Sequence, residues 1–111
     1  MINNTQSDLP SSEANKTAIY QLRQQLQSQC PELDSGAWWL LGTEGCHLCD
    51  IAENLIVQLQ SVLPTAYQKL DIIDLDELTM MEFSTKIPVI LTSNARLDYP
   101  FSILDLQQLA S

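Results

Sequence analysis

The run Ala37-Trp38-Trp39-Leu40-Leu41 constrains the fold most, because it is apolar at every position. A half-buried strand alternates apolar and polar residues, whereas a continuous apolar run is typical of a strand that is covered on both faces. Gly45-Cys46-His47-Leu48-Cys49 follows this run, and residues 50–63 then have apolar side chains at helical spacing. The sequence therefore predicts a strand and a helix of an α/β fold, with two cysteines at their junction.

The pair Cys46 and Cys49 predicts a thiol–disulfide redox site, because two thiols separated by two residues can close a small disulfide ring. The open alternative is half of a zinc site. Zinc takes about four ligands, but the chain offers one more cysteine, Cys30, and its one histidine, His47, lies between the pair. We therefore expect redox chemistry and no metal. We interpret Cys30 as an incidental thiol, with a resolving or regulatory role as the alternative.

The charge of the chain narrows the range of partners. Its 111 residues include 14 acidic and 5 basic side chains, a formal charge of −9, which nucleic acid or an anionic lipid surface would repel. No segment is apolar for long enough to span a membrane, and the N-terminal residues lack the pattern of a secretory signal. We therefore expect a cytoplasmic monomer that binds neither nucleic acid nor membrane. In the cytoplasm a structural disulfide is rare, but a catalytic disulfide can form.

The remaining residues alternate between helical and strand patterns. Residues 1–16 are polar and predict a disordered tail, residues 17–35 predict a helical extension, and residues 36–111 predict the main domain. After the first strand and helix, we expect strands at 67–73, 86–91 and 95–99, and helices at 76–84 and 102–110. In the first of these helices, Leu78 and Met81 are expected to face inward, with Met80 or Phe83 as further candidates. The strand–helix–strand connection predicts parallel pairing, and the last two strands predict a hairpin. The expected fold is an α/β sandwich, a four-stranded mixed sheet flanked by helices.

Four short motifs together point to a known family. They are the run at residues 41–49, Asp71-Ile72-Ile73-Asp74, Ile87-Pro88-Val89, and Tyr99-Pro100-Phe101. In this order they resemble the small bacterial glutaredoxin-like proteins of the thioredoxin-fold superfamily, with a likeness that extends from residue 38 to residue 109. The resemblance implies a thioredoxin-like fold and a dithiol enzyme that reduces or exchanges disulfides. Its implied partners are disulfide-containing proteins or glutathione.

The resemblance also implies roles for individual residues. Cys46 is similar to the partly exposed nucleophilic thiol of the family, and Cys49 is similar to the buried resolving thiol. Pro88 matches the cis-proline that faces the active site, and the backbone of Ile87 would pair with the substrate. The other expected substrate contacts are His47, Leu48, Tyr99 and Phe101, with packing in the core as the open alternative for Tyr99 and Phe101. His47 would also tune the redox potential.

The chain departs from the glutaredoxin pattern around the dithiol. His47-Leu48 replaces the usual Pro-Tyr, Thr43 and Glu44 stand where a basic residue is usual, and residues 99–102 replace a Gly-Gly pair. These changes remove most of the residues that grip glutathione, so we expect glutathione as a co-substrate at most. The alternatives are a non-catalytic module for protein interaction or redox sensing, and an iron–sulfur cluster shared between two chains, as in a related glutaredoxin subset.

A working dithiol needs a thiolate at Cys46, since the thiolate is the nucleophile in disulfide exchange. The N-terminus of the following helix offers free N–H groups and a partial positive charge, which lower the pKa of a cysteine there. Glu44 and Asp50 act in the opposite direction, because nearby negative charge disfavours a thiolate. We therefore expect the pKa of Cys46 to lie below that of free cysteine, but not extremely low.

Overall fold

The structure of the protein is a computed structural model that describes residues 11–110, with side chains described from residue 15 onward. Its regular elements, in chain order, are α1 (Ser11–Gln29), β1 (Trp38–Gly42), α2 (His47–Gln60), β2 (Tyr67–Asp71), a 3-10 turn (Ile72–Asp74), α3 (Glu77–Ser84), β3 (Val89–Leu91), β4 (Arg96–Asp98) and α4 (Ile103–Ala110). Within this range, no helix combines the length and the apolar character needed to cross a membrane.

The four strands form one mixed sheet in the order β2-β1-β3-β4. β1 runs parallel to β2, with Leu41 opposite Leu70, and antiparallel to β3, with Leu41 opposite Val89. β3 and β4 form the antiparallel hairpin. The predicted four-stranded mixed sheet flanked by helices is therefore confirmed, and the two apolar strands β1 and β3 lie side by side at its centre.

Helices cover both faces of the sheet, as the continuous apolar run in β1 predicts. On one face, Trp39 and Leu41 of β1 pack in a buried cluster with Leu26 of α1 and Phe83 of α3. On the other face, Leu40 packs in a second cluster that is supplied by α2 and α4. The members from these two helices and β3 are Ala52, Ile56, Leu59, Leu106 and Ile90. Successive residues of β1 thus contribute to two separate cores.

Helix α1 begins at Ser11, so the prediction of a disordered tail is wrong for residues 11–16. Extending an existing helix by one residue costs little free energy compared with nucleating a new helix. Glu13, Ala14 and Lys16 are residues that are compatible with a helix. The rest of the predicted tail, residues 1–10, lies outside the described residues. The extension itself belongs to the main core, because Leu26, Cys30 and Leu33 are buried with the sheet residues.

Helix α3 packs with a face that the sequence predicts only in part. Phe83, one of the further inward candidates, is buried, and so is Thr79, whereas Leu78 and Met81, which the sequence predicts to face inward, are 82% and 59% exposed. The helix begins after Asp76, whose carboxylate accepts a hydrogen bond from the Thr79 N–H at 2.9 Å. This cap fixes where the first turn starts and therefore which residues face the sheet.

Arg23 fastens α1 to the sheet. Its side chain is only 6% exposed, and its guanidinium donates hydrogen bonds to the carbonyl oxygens of Leu91 (3.0 Å), Ser35 (2.9 Å) and Ala37 (3.2 Å). It also lies over the ring of Trp39, 3.7 Å from the ring centroid, which adds a cation–π attraction. Burial lowers the pKa of Arg23, and the charge of Asp34 opposes this effect.

We expect Arg23→Ala to lower the free energy of unfolding by about 1–3 kcal/mol, because buried carbonyls would lose their donors. Arg23→Lys should recover only a small part of this loss, since an ammonium cannot reproduce the planar fork of donors. The measurement is urea denaturation, with Lys16→Ala, an exposed cation of the same helix, as the control. Full stability in Arg23→Lys would show that charge alone fastens the helix.

Candidate active site

The two cysteines lie at the N-terminus of α2, directly after β1. Cys46 is the N-cap residue, with an extended backbone, and its Sγ accepts a hydrogen bond from the Cys49 N–H at 3.1 Å. Its carbonyl oxygen accepts from the Asp50 N–H at 3.2 Å. Gly45, just before the cap, has a φ of +77°, a conformation that favours glycine. The turn therefore directs the Cys46 sulfur to the helix end where N–H groups are free.

Cys46 and Cys49 are joined as a disulfide, with their Cα atoms 5.2 Å apart. Cys46 is half-buried, whereas Cys49 is only 7% exposed. One sulfur is therefore accessible and the other is shielded one helical turn inside. The third cysteine, Cys30, is buried in the core on the α1 side, where burial raises the pKa of its thiol.

The strand register brings Pro88 to the same edge of the sheet as the dithiol. Gly42 at the end of β1 pairs with Asp71 of β2, and Pro88 directly precedes β3 on the other side of β1. The Tyr99 N–H donates to the Pro88 carbonyl oxygen at 3.0 Å, which places Tyr99 next along this edge. The Ile87–Pro88 peptide bond is cis, as the resemblance implies, and so is Tyr99–Pro100.

Three of the expected substrate contacts are held inside the fold, and one of them is Pro88, whose side chain is fully buried. The Ile87 N–H donates to the Phe83 carbonyl oxygen at 3.0 Å, so only the Ile87 carbonyl remains as a backbone group for a substrate. Phe101 is 8% exposed and belongs to the cluster with α2 and α4. Its ring meets that of Tyr99 edge-on at 5.3 Å. Phe101 is therefore a core residue, because its apolar ring completes this layer, and it does not line an open surface.

His47 and Leu48 form the first turn of α2 and are exposed, Leu48 by 43%. Tyr99 is half-buried. These three side chains thus remain accessible beside Cys46 or at the β3 side of the same edge, in contrast to Phe101. Among residues 15–110, no three His, Cys, Asp or Glu side chains come together in an arrangement that could hold a metal ion.

A groove of about 550 Å³ opens on the other side of the dithiol, between the ends of β1 and β2 and the start of α2. Of the cysteines and the predicted substrate contacts, only Cys49 lines it. The other lining residues are Leu40, Gly42, Thr43, Glu44, Gly45, Asp50, Glu53, Lys69, Leu70 and Asp71. The sequence did not reveal this groove, because it depends on the parallel pairing register of β1 and β2.

Glu53 holds a small polar network at the wall of the groove. Its carboxylate accepts a hydrogen bond from the Tyr67 hydroxyl at 2.7 Å and pairs with the Lys69 ammonium at 3.2 Å. The Tyr67 hydrogen bond is the main cause that lowers the pKa of Glu53. The same bond raises the pKa of Tyr67 to about 12. The only sequence signal was the spacing of Tyr67 and Lys69, which puts them on one face of β2.

Tyr67→Phe should lower the free energy of unfolding at pH 7 by about 0.5–1.5 kcal/mol. A lowered pKa of Glu53 stabilises the fold above its ordinary value of 4.5, and this contribution is lost as the pH falls below it. The raised pKa of Tyr67 stabilises the fold below pH 10, and this contribution is lost as the pH rises towards 12. Between pH 7 and either the acidic or the alkaline end of the range, the free energy of unfolding should therefore fall less in the variant than in the wild type.

Denaturation across the pH range tests this expectation, together with tyrosinate absorbance in the alkaline range. The control is Tyr20→Phe, because Tyr20 is exposed and its hydroxyl accepts a solvent-exposed hydrogen bond from Gln24. An identical pH dependence of stability in Tyr67→Phe and the wild type would contradict the network.

Comparisons with known proteins identify the family and agree with the fold. A family model described as a glutaredoxin-like domain (DUF836) matches residues 39–111. The X-ray structure of XcR50, a Northeast Structural Genomics target protein from X. campestris, is similar with 27% identity and a TM-score of 0.56. The alignment covers 66% of this chain and 93% of that chain. No curated protein matches the chain.

Proposed function

Since the chain belongs to the glutaredoxin-like domain (DUF836) family, we propose that it is a thiol–disulfide oxidoreductase that reduces or exchanges disulfides of proteins or small molecules. One observation carries the proposal: a half-buried Cys46 caps a helix, and a disulfide joins it to the shielded Cys49 one turn further on. A pair of this kind can alternate between dithiol and disulfide while the rest of the fold stays in place.

In the first step, the Cys46 thiolate attacks one sulfur of the substrate disulfide. A bond forms between Cys46 and that sulfur, the substrate S–S bond breaks, and the other substrate sulfur leaves as a thiolate that takes up a proton. The Cys49 N–H, which donates to the Cys46 Sγ, supports the thiolate because a hydrogen bond to the charged form favours it. Glu44 and Asp50 are the nearby charges that oppose it.

In the second step, Cys49 loses its proton and attacks the Cys46 sulfur of the mixed disulfide. The Cys46–Cys49 bond forms, and the second substrate thiol is released as a thiolate and protonated. The substrate thereby gains two electrons and two protons, which a thiol or dithiol reductant must restore to the protein. Because Cys49 is shielded from solvent, it reacts inside the protein rather than with free disulfides.

The substrate is expected to approach from the side of Tyr99 and Leu48, beside the buried Pro88, with the Ile87 carbonyl as an acceptor for a substrate N–H. His47, exposed between the cysteines, would tune the redox potential. Glutathione is proposed as a co-substrate at most, because Thr43 and Glu44 provide no cation for its carboxylates. The remaining elements of the proposal are a cytoplasmic monomer without a resident metal or cofactor.

The test is a redox titration of the full chain carrying Cys30→Ala, which removes the third thiol from a buried apolar site. The protein is equilibrated with graded glutathione buffers, and its free thiols are counted by alkylation and mass. We expect one reversible two-electron transition, at a potential between about −300 and −180 mV. Absence of a Cys46–Cys49 disulfide at every buffer ratio would exclude the dithiol mechanism and leave a binding module.

The role of Cys46 has its own test. Cys46→Ser should abolish disulfide-reductase activity, whereas Cys49→Ser should still form a mixed disulfide through Cys46. In the reduced protein, thiolate absorbance at 240 nm followed against pH should give a Cys46 pKa below the value of about 8.5 for free cysteine. A reductase that keeps full activity as Cys46→Ser would contradict the assignment.

A further inference from the structure

Gly42, the last residue of β1, lies against the buried sulfur of the dithiol. A Cβ atom placed on Gly42 would be 2.9 Å from the Cys49 Sγ and 3.1 Å from the Cys49 Cβ. The first distance is shorter than non-bonded carbon and sulfur atoms tolerate. The space that a side chain at position 42 would need is therefore occupied by the Cys49 sulfur.

Backbone conformation does not explain this glycine. Gly45 has a positive φ, whereas Gly42 does not, so any residue could adopt the strand backbone at position 42. Glycine inside a strand normally weakens it and often marks a close approach of another group. Here the approaching group is the side chain of Cys49, one of the two redox cysteines.

We propose that Gly42 is a positioning residue of the dithiol. Because Gly42 has no side chain, the Cys49 sulfur can occupy the position in which it bonds to Cys46. This inference rests on the proposed redox function. It concerns the second step, in which the Cys49 sulfur must reach the Cys46 sulfur.

The surroundings determine how a methyl group at position 42 would act. Helix α2 cannot easily move away, because Ala52 and Ile56 anchor it in the core without exposed surface. The adjoining open space is the groove that Gly42 and Cys49 both line. Reduction frees the Cys49 Sγ to rotate towards this space, which relieves the 2.9 Å contact, whereas the disulfide holds the sulfur beside Cys46; the 3.1 Å contact with the Cys49 Cβ is the same in both states. The methyl group therefore disfavours the disulfide more than the dithiol.

The experiment is the same redox titration on Gly42→Ala, in the Cys30→Ala background. We expect the equilibrium to shift towards the dithiol by at least about tenfold, a change of about 30 mV towards a more oxidising potential. The matched control is Gly36→Ala, whose added Cβ would have Asp34 Oδ1 at an ordinary 3.5 Å as its nearest neighbour. The control should leave the potential unchanged.

A folded Gly42→Ala with the potential of the parent protein would overturn the inference, while the parent titration would still support the redox function. A parent without a reversible transition would overturn the proposed function and this inference together. If Gly42→Ala does not fold, Cys49→Ala is added to remove the sulfur. Recovery of the fold supports the inference, and failure to recover it overturns the inference, because the sulfur would then not be what excludes a side chain at position 42.

Discussion

The two central strands are buried on both faces, and the remaining structure depends on how those faces are covered. Helices α2 and α4 cover one face, and α1 and α3 cover the other. Helix α1 precedes the segment that matches the glutaredoxin-like family, residues 39–111, but Leu26 and Arg23 belong to the buried interior. The segment that similarity identifies is therefore smaller than the unit that buries the sheet.

The same arrangement of strands gathers the candidate site at one edge. β1 ends there and β3 begins there, because the two strands are antiparallel. The cysteines follow β1 and Pro88 precedes β3, so residues about forty positions apart in the chain become neighbours. The helix that starts at Cys46 contributes its free N–H groups at this edge. The chemistry thus results from the topology as much as from the two thiols.

Much of this was predictable from the sequence, because burial on two faces and the spacing of the cysteines leave direct patterns. The continuous apolar residues of β1 indicated that helices cover both faces of the sheet. The motif around Pro88 identified it as the expected cis-proline. The inward face of α3 was predictable only at Phe83, since the position of the cap at Asp76 decides which residues face the sheet. The sequence left Phe101 open between a substrate contact and core packing, and it gave no sign of the hydrogen bond between Tyr67 and Glu53. Both depend on the strand register, which the sequence pattern does not specify.

Trp38 and Trp39 are adjacent in the chain but belong to opposite layers. Trp39 is buried beneath the Arg23 guanidinium, and its indole N–H donates to the Asp34 carbonyl oxygen, whereas Trp38 packs half-buried against the other cluster. Intrinsic fluorescence of the protein is therefore a sum of two emitters in dissimilar surroundings. Replacement of one indole by phenylalanine would leave an optical reporter of a single face of the sheet.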